Sequence, residues 1–230
     1  MRSDTLLLDL GNTHLHWRRG LVDGVLDLTA KGEGWPFPLQ GIRRVVWAAV
    51  GPSDRLAGLR SALESVTWQQ CARPELPLLA THYDSGQLGI DRWLAMLGAQ
   101  RRLEEDGHTC IIVDAGTALT LDMIAEWAHV GGWIMPGYHR WHDALYAGTA
   151  ISPAAESKST HEPGLRTAAA IANGWQAAMT AVIREQVQNR PDAALVLTGG
   201  DAWRLQGSFP QSRLWPELVL DGLAIWADDD

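Results

Sequence analysis

The 230-residue chain is 46% hydrophobic and carries a net charge of −8 with a pI near 5.4. That composition supports one large domain or two small ones and excludes a general attraction to nucleic acid or an anionic membrane. No apolar run approaches bilayer-spanning length. Met1-Arg2-Ser3-Asp4 leads straight into a short strand rather than a signal peptide. Cys71 and Cys110 form no CxxC, so reduced thiols and a cytoplasmic location are expected.

In chain order, Leu6-Leu7-Leu8-Asp9-Leu10 reads as an apolar strand, Gly11-Asn12-Thr13 as a turn, and His14 to Arg19 as a second, alternating strand. Gly24 to Thr29 continues the meander, and Lys31 to Gln40 is a Gly/Pro-rich loop. Arg43 to Val50 is a strand of the buried kind. Gly51-Pro52-Ser53 opens a helix through about Val66, with Ser53 as N-cap, and Leu76 to Leu79 is a short extended piece. A three-strand meander followed by strand, helix and strand suits a ribonuclease H-like half.

The stretch Tyr83 to Ala99 begins polar and Gly-rich and becomes helical from Trp93 to Leu103. Gly89 and Asp91 therefore lie at the helix N-terminus, where free N–H groups and the helix dipole favour anions. Two uses fit Asp91: a helix cap, or the acceptor of a proton. Arg92 is either a surface charge or the partner of an acidic substrate group.

Cys110-Ile111-Ile112-Val113, Asp114-Ala115-Gly116-Thr117 and Ala118 to Ile124 repeat the strand, Asp-x-Gly turn and strand of the N-terminus. Asp9 and Asp114 stand 105 residues apart, the spacing of a duplicated domain. Glycine lets the turn's N–H groups approach an anion closely, threonine adds a hydroxyl, and the aspartate can hold a cation. Two such turns facing one cleft would grip a polyphosphate, which points to a nucleoside triphosphate. A P-loop is excluded, since neither lysine, Lys31 or Lys158, sits in GxxxxGK[ST]. No G-x-G-x-x-G follows a strand.

Beyond the second hairpin, Trp127 to Ile134 is a third strand, ending in the turn Met135-Pro136-Gly137. Tyr138 to Tyr146 is helical, with His139 and His142 on a solvated face rather than a metal site. Ile151 to Arg166 reads as a mobile loop. Thr167 caps a long helix through about Asn189. Ala193 to Leu197 is a strand running into Thr198-Gly199-Gly200-Asp201, a nucleoside or phosphate ledge. Pro216 to Ala227 is a closing helix. The scattered tryptophans read as core and interface packing.

The ordered set Asp9-x-Gly11-Asn12-Thr13, Gly89-x-Asp91-Arg92-Trp93, Asp114-x-Gly116-Thr117-Ala118-x-Thr120-x-Asp122, Gly131-Gly132-x-Ile134-x-Pro136-Gly137 and Thr198-Gly199-Gly200-Asp201-Ala202 resembles the type III pantothenate kinases. The resemblance implies an α/β fold of the acetate and sugar kinase/actin-like superfamily. Two ribonuclease H-like halves are expected, residues 1–107 and 108–230, each a mixed sheet flanked by helices. It also implies a homodimer that phosphorylates pantothenate to 4′-phosphopantothenate with Mg²⁺-ATP, the first step of coenzyme A biosynthesis. Carried over residue by residue, Asp9, Gly11, Asn12, Thr13, His16, Thr117, Gly199 and Gly200 bind ATP. Asp91 is the base, and Tyr83, Gly89, Ile90, Asp91, Arg92 and Thr167 bind pantothenate. Asp114 holds a monovalent cation, K⁺ or NH₄⁺. The chain departs from the family in carrying His16 where many relatives have lysine and Gly86 where a proline is common, and in being short. Two alternatives come with the resemblance: a non-catalytic regulator similar to the Bvg accessory factors, and a phosphatase on the same fold.

Overall fold

In the computed structural model, which describes residues 3–30, 34–75, 78–103, 109–153 and 159–228, the first sheet grows from the leucine-rich strand β1 (Thr5–Leu10). β1 pairs antiparallel with β2 (His14–Arg19), which pairs in turn with β3 (Val22–Asp27). β4 (Arg44–Ala49) lies parallel to β1, and β5 (Thr67–Gln70) parallel to β4, giving the order β3-β2-β1-β4-β5. Alternate strand residues face opposite sides. Leu6, Leu8, Leu10, Leu15 and Val45 therefore share one core with Leu56 of the 3₁₀ turn Ser53–Leu56, Leu59 of the helix α1 (Ala57–Ala62) that continues it, and Leu63 just beyond. The opposite face meets α2 (Ile90–Arg102) and the last helix of the chain (Leu218–Asp228). These two helices touch through Gly98 and Gly222. A Cβ on Gly222 would collide with the Leu94 carbonyl, and one on Gly98 would stand 2.5 Å from the Leu218 carbonyl.

Several local expectations shift. The third strand begins at Val22 rather than Gly24. The N-cap before the 3₁₀ turn is Pro52, not Ser53, and the helix ends at Ala62, well before Val66. Of the extended piece expected at Leu76–Leu79, Leu76 and Pro77 lie outside the described residues; the short strand β6 follows at Ala80–Thr81. Parts of two expected loops, 31–33 and 154–158, also lie outside them.

The second unit repeats the plan. β7 (Cys110–Ala115) pairs antiparallel with β8 (Ala118–Ala125), and β8 with β9 (Ala128–Pro136). After α3 (Tyr138–Gly148) and α4 (Thr167–Asn189), β10 (Ala194–Thr198) lies parallel to β7. The short helix α5 (Trp203–Gln206) then leads to β11 (Arg213–Leu214), parallel to β10. The run β9-β8-β7-β10-β11 matches β3-β2-β1-β4-β5 strand for strand. Ile111, Val113, Leu119 and Leu121 pack with Trp175, Met179 and Ile183 of α4. Trp127, expected to start the third strand, instead forms a hairpin turn with Glu126, at φ of 63° and 50°. Two left-handed residues in succession match the right-handed twist of the flanking strands.

The chain thus divides into Met1–Arg102 with Glu217–Asp230, and Leu103–Pro216. The boundary expected at residue 107 leaves the last helix, hereafter α6, with the second half; its packing is against α2, β1 and β4 of the first unit. No described helix is long and apolar enough to cross a membrane.

Candidate active site

The β1–β2 turn is tight and backbone-rich. The Gly11 N–H donates to the His14 carbonyl at 2.9 Å, and the Val50 and Gly51 N–H groups donate to the Leu10 carbonyl at 3.0 and 3.1 Å. Gly51 presses so closely on Gly11 that a Cβ would collide with the Gly11 carbonyl. Arg55, which the sequence reading passed over, donates to the Asn12 carbonyl at 2.6 Å and brings a cation to the turn. Thr13 Oγ1 lies 3.0 Å from His14 Nδ1.

Asp9 and His16 are direct partners across β1 and β2, so their side chains share a face of the sheet. That face meets the N-terminal ends of α2, which carries Asp91, and of α6, which Glu217 immediately precedes. His16 Nδ1 lies 3.7 Å from Glu217 Oε2. Burial pushes the Asp9 carboxyl up to about 7; His16 opposes the shift, and Asp91 and Glu217 reinforce it as like charges. One step along, Arg18 donates to Asp221 Oδ1 at 2.7 Å, and Arg102 Nη2 lies 2.6 Å from Asp221 Oδ2. Two residues on a strand and four on a helix span similar distances, so His16/Arg18 matches Glu217/Asp221. The alternating charges of β2 and the four-residue acidic spacing of α6 were the sequence signals for this pairing, which sequence reasoning missed.

Asp91 folds back over the start of α2. Its Oδ1 accepts the Arg92 N–H at 2.8 Å. A Cβ on Gly89 would stand 2.6 Å from that oxygen, so glycine there leaves the carboxylate its room. Ile90, the first helical residue, is buried. Arg92 is not a surface charge. It is only 5% exposed, with its guanidinium 5.2 Å from the centroid of the Tyr83 ring, so two of the expected pantothenate residues come together. Upstream, the Gly86 N–H donates to Asp84 Oδ1 at 3.0 Å, a bond that a proline at this position could not make.

In the second unit Asp114 lies opposite Thr198, at the ends of β7 and β10. The Gly116 N–H donates to the Ala118 carbonyl at 2.9 Å, the Gly137 N–H to the Thr117 carbonyl at 3.2 Å, and the Asp201 N–H to the Ala115 carbonyl at 2.9 Å. Gly199, at φ +89°, lies against the Asp114 carboxylate so closely that a Cβ would collide with it, while Gly200 faces open space. Asp114, Gly116 and Gly199 therefore lie together at the strand ends, with Thr117 and Gly200 beside them in sequence. The donors there, a carboxylate and backbone carbonyls, fit a hard cation better than a thiophilic metal. Among the described residues no three His, Cys, Asp or Glu gather as a metal site.

Thr167 is the exposed first residue of α4 rather than its cap, which is Arg166. It lines an open cleft of about 570 Å³ with Trp141, Leu145, Ile151 and Arg166. It belongs to the second unit, whereas Tyr83, Gly89, Ile90, Asp91 and Arg92 belong to the first. His139 is exposed as expected. His142 is not: it is buried, with Nδ1 2.8 Å from the Tyr138 carbonyl. A further buried pair, Asp122 and His129 at 3.0 Å, ties β8 to β9.

A family model described as type III pantothenate kinase matches residues 36–189. The chain belongs to the type III pantothenate kinase family. A type III pantothenate kinase of Aromatoleum aromaticum is 35% identical over 243 residues, covering 98% of each chain. That of Alkalilimnicola ehrlichii is 32% identical over 242 residues, covering 95% of this chain and 96% of its own. Among solved structures, a Campylobacter jejuni protein described as a Baf family transcriptional activator aligns with a TM-score of 0.65 at 20% identity, over 97% of this chain and 98% of its own. A Sinorhizobium meliloti protein described as a 2-dehydro-3-deoxygalactonokinase aligns with a TM-score of 0.56 at 12% identity, over 98% of both chains. At these identities the solved structures speak for the fold alone. This type III pantothenate kinase family member has an α/β fold of two mixed sheets flanked by helices, and it shares that fold with the Sinorhizobium meliloti protein.

Proposed function

We propose that the chain transfers the γ-phosphoryl group of Mg²⁺-ATP to the hydroxyl of pantothenate, making 4′-phosphopantothenate for coenzyme A biosynthesis. The observation that carries this reading is Asp91: a carboxylate curled over the start of α2, with the Arg92–Tyr83 pair on one side and the Asp9–His16 pair electrostatically linked to it. Asp91 takes the hydroxyl proton. Arg92, a fork of donors pinned against Tyr83, holds the pantothenate carboxylate in register beside Gly89 and Ile90, and Thr167 is a further pantothenate contact. The turn Gly11-Asn12-Thr13 with Asp9 and His16 is a nucleotide-binding element of the first unit, and Thr117, Gly199 and Gly200 are nucleotide-binding residues of the second. Phosphoryl transfer asks chiefly for such positioning and charge neutralisation, because its transition state is loose.

Asp114 holds the monovalent cation, and the active form is a cytoplasmic homodimer whose pantothenate site is completed by the partner subunit. The full-length match to relatives named as kinases favours this reading over a non-catalytic regulator. One assay tests it: ATP consumption with and without pantothenate, in potassium and in sodium. Consumption that needs pantothenate and is faster in potassium is expected. Hydrolysis indifferent to pantothenate points to the phosphatase alternative and overturns the proposal. Sedimentation of a fully active monomer overturns the dimer.

A further inference from the structure

Most of the tryptophans are buried or half-buried, but Trp203 is 60% exposed. An isolated exposed ring is ordinary; the setting of this one is not. Arg204, next in sequence, lies with its guanidinium 4.5 Å from the centroid of the Trp203 ring and 3.7 Å from that of Tyr138. Its Nε donates to Asp201 Oδ1 at 2.8 Å, and its side chain is only 8% exposed. The indole thus has a fixed cation behind one face, and its exposure leaves the other to a ligand. Backing of this kind reduces the rotamer freedom that a ligand would otherwise have to freeze.

The position of the ring completes the argument. Trp203 follows Gly199-Gly200-Asp201, and the Asp201 N–H donates to the Ala115 carbonyl of the Asp114–Thr117 turn at 2.9 Å. A Cβ on Gly200 would meet nothing within 4 Å apart from its chain neighbours. A pinned aromatic face therefore stands beside a glycine ledge that is itself hydrogen-bonded to a phosphate turn. We propose that Trp203 is the stacking platform for the purine base of the nucleotide, with Arg204 as its fixed backing. Recognition is by the face of the base rather than its edge, so adenine and guanine nucleotides are both accepted. The inference rests on the kinase reading and adds to it the residue that holds the base.

The test compares ADP with inorganic tripolyphosphate, which offers the phosphates without a base, by calorimetry on the full chain. Trp203→Ala should weaken ADP about tenfold, equivalent to about 1.4 kcal/mol, in the range of base–aromatic stacking. Its tripolyphosphate affinity should stay within about twofold of wild type. Trp203→Phe should keep ADP within about threefold while abolishing the part of the ADP-induced fluorescence quench that belongs to this indole. ADP affinity unchanged in Trp203→Ala, or ADP and tripolyphosphate weakened together, overturns the inference. Wild-type protein that binds no ADP overturns the kinase reading and the inference with it.

Discussion

Asp91→Asn separates chemistry from helix capping. The Asp91 oxygen that accepts the Arg92 N–H at 2.8 Å has a counterpart in the asparagine carbonyl, so the local bond survives. What disappears is a negative charge at the N-terminus of α2, worth about 0.3–1 kcal/mol. The lost repulsion toward Asp9 works in the opposite direction. Net stability should therefore change by less than about 1 kcal/mol, a Tm shift of about 2–4 °C at most for a chain of this size. The rate should change far more. A positioned base contributes about 10² to 10⁴, or roughly 3–5.5 kcal/mol of barrier. The assay is kcat at saturating ATP and pantothenate, with calorimetry for both ligands and a melting curve as controls. Gly89→Ala is the companion variant: it keeps the charge, but its Cβ would stand 2.6 Å from Asp91 Oδ1 and must push the carboxylate aside. A 1 Å misplacement can cost about 10²-fold, so kcat should fall by at least about tenfold while ADP affinity holds. If Asp91→Asn binds both ligands and keeps kcat within a few-fold of wild type, Asp91 is a cap and the base lies elsewhere.

Three further outcomes are expected. The Asp9 carboxyl titrates near 7 in the folded chain against an ordinary 3.8, so its charge weighs against folding increasingly from about pH 4 and in full above about pH 7. Without nucleotide, the Tm of Asp9→Asn should therefore gain on wild type through that window and level off; a pH-independent difference refutes the cause. Gly222→Ala would drive a methyl into the Leu94 carbonyl. The overpacking, about 1–3 kcal/mol, should outweigh the roughly 1 kcal/mol of helix propensity gained. Denaturant unfolding should show a net loss, and a more stable variant would sink the argument. Asp114→Asn should abolish the preference for potassium over sodium in phosphorylation assays, because a carboxylate beside polyphosphate needs an intervening cation; an unchanged preference removes Asp114 from that role.

Sequence alone determined what local chemistry dictates. Leu6 to Leu10 and Cys110 to Val113 are apolar runs closed by Asp-x-Gly turns, and the 105-residue offset declared the duplication before any strand was paired. Asp91 followed by a helical pattern put a carboxylate at a helix start, where the structure has it. Tertiary structure decided whatever depends on partners distant in the chain. β5 and β11 are short edge strands without a periodic signal, and they exist because β4 and β10 offer them open edges. Arg92 is legible as a charge, but only the packing around Tyr83 makes it a buried one. The glycines at 98 and 222 look like helix breakers until α2 and α6 meet through them. The cluster of Asp9, His16, Asp91 and Glu217 draws on four separate segments. Its electrostatics belong to the folded state, because like charges so far apart in sequence are forced together, and stripped of water, only when the sheet and both helices close on one another.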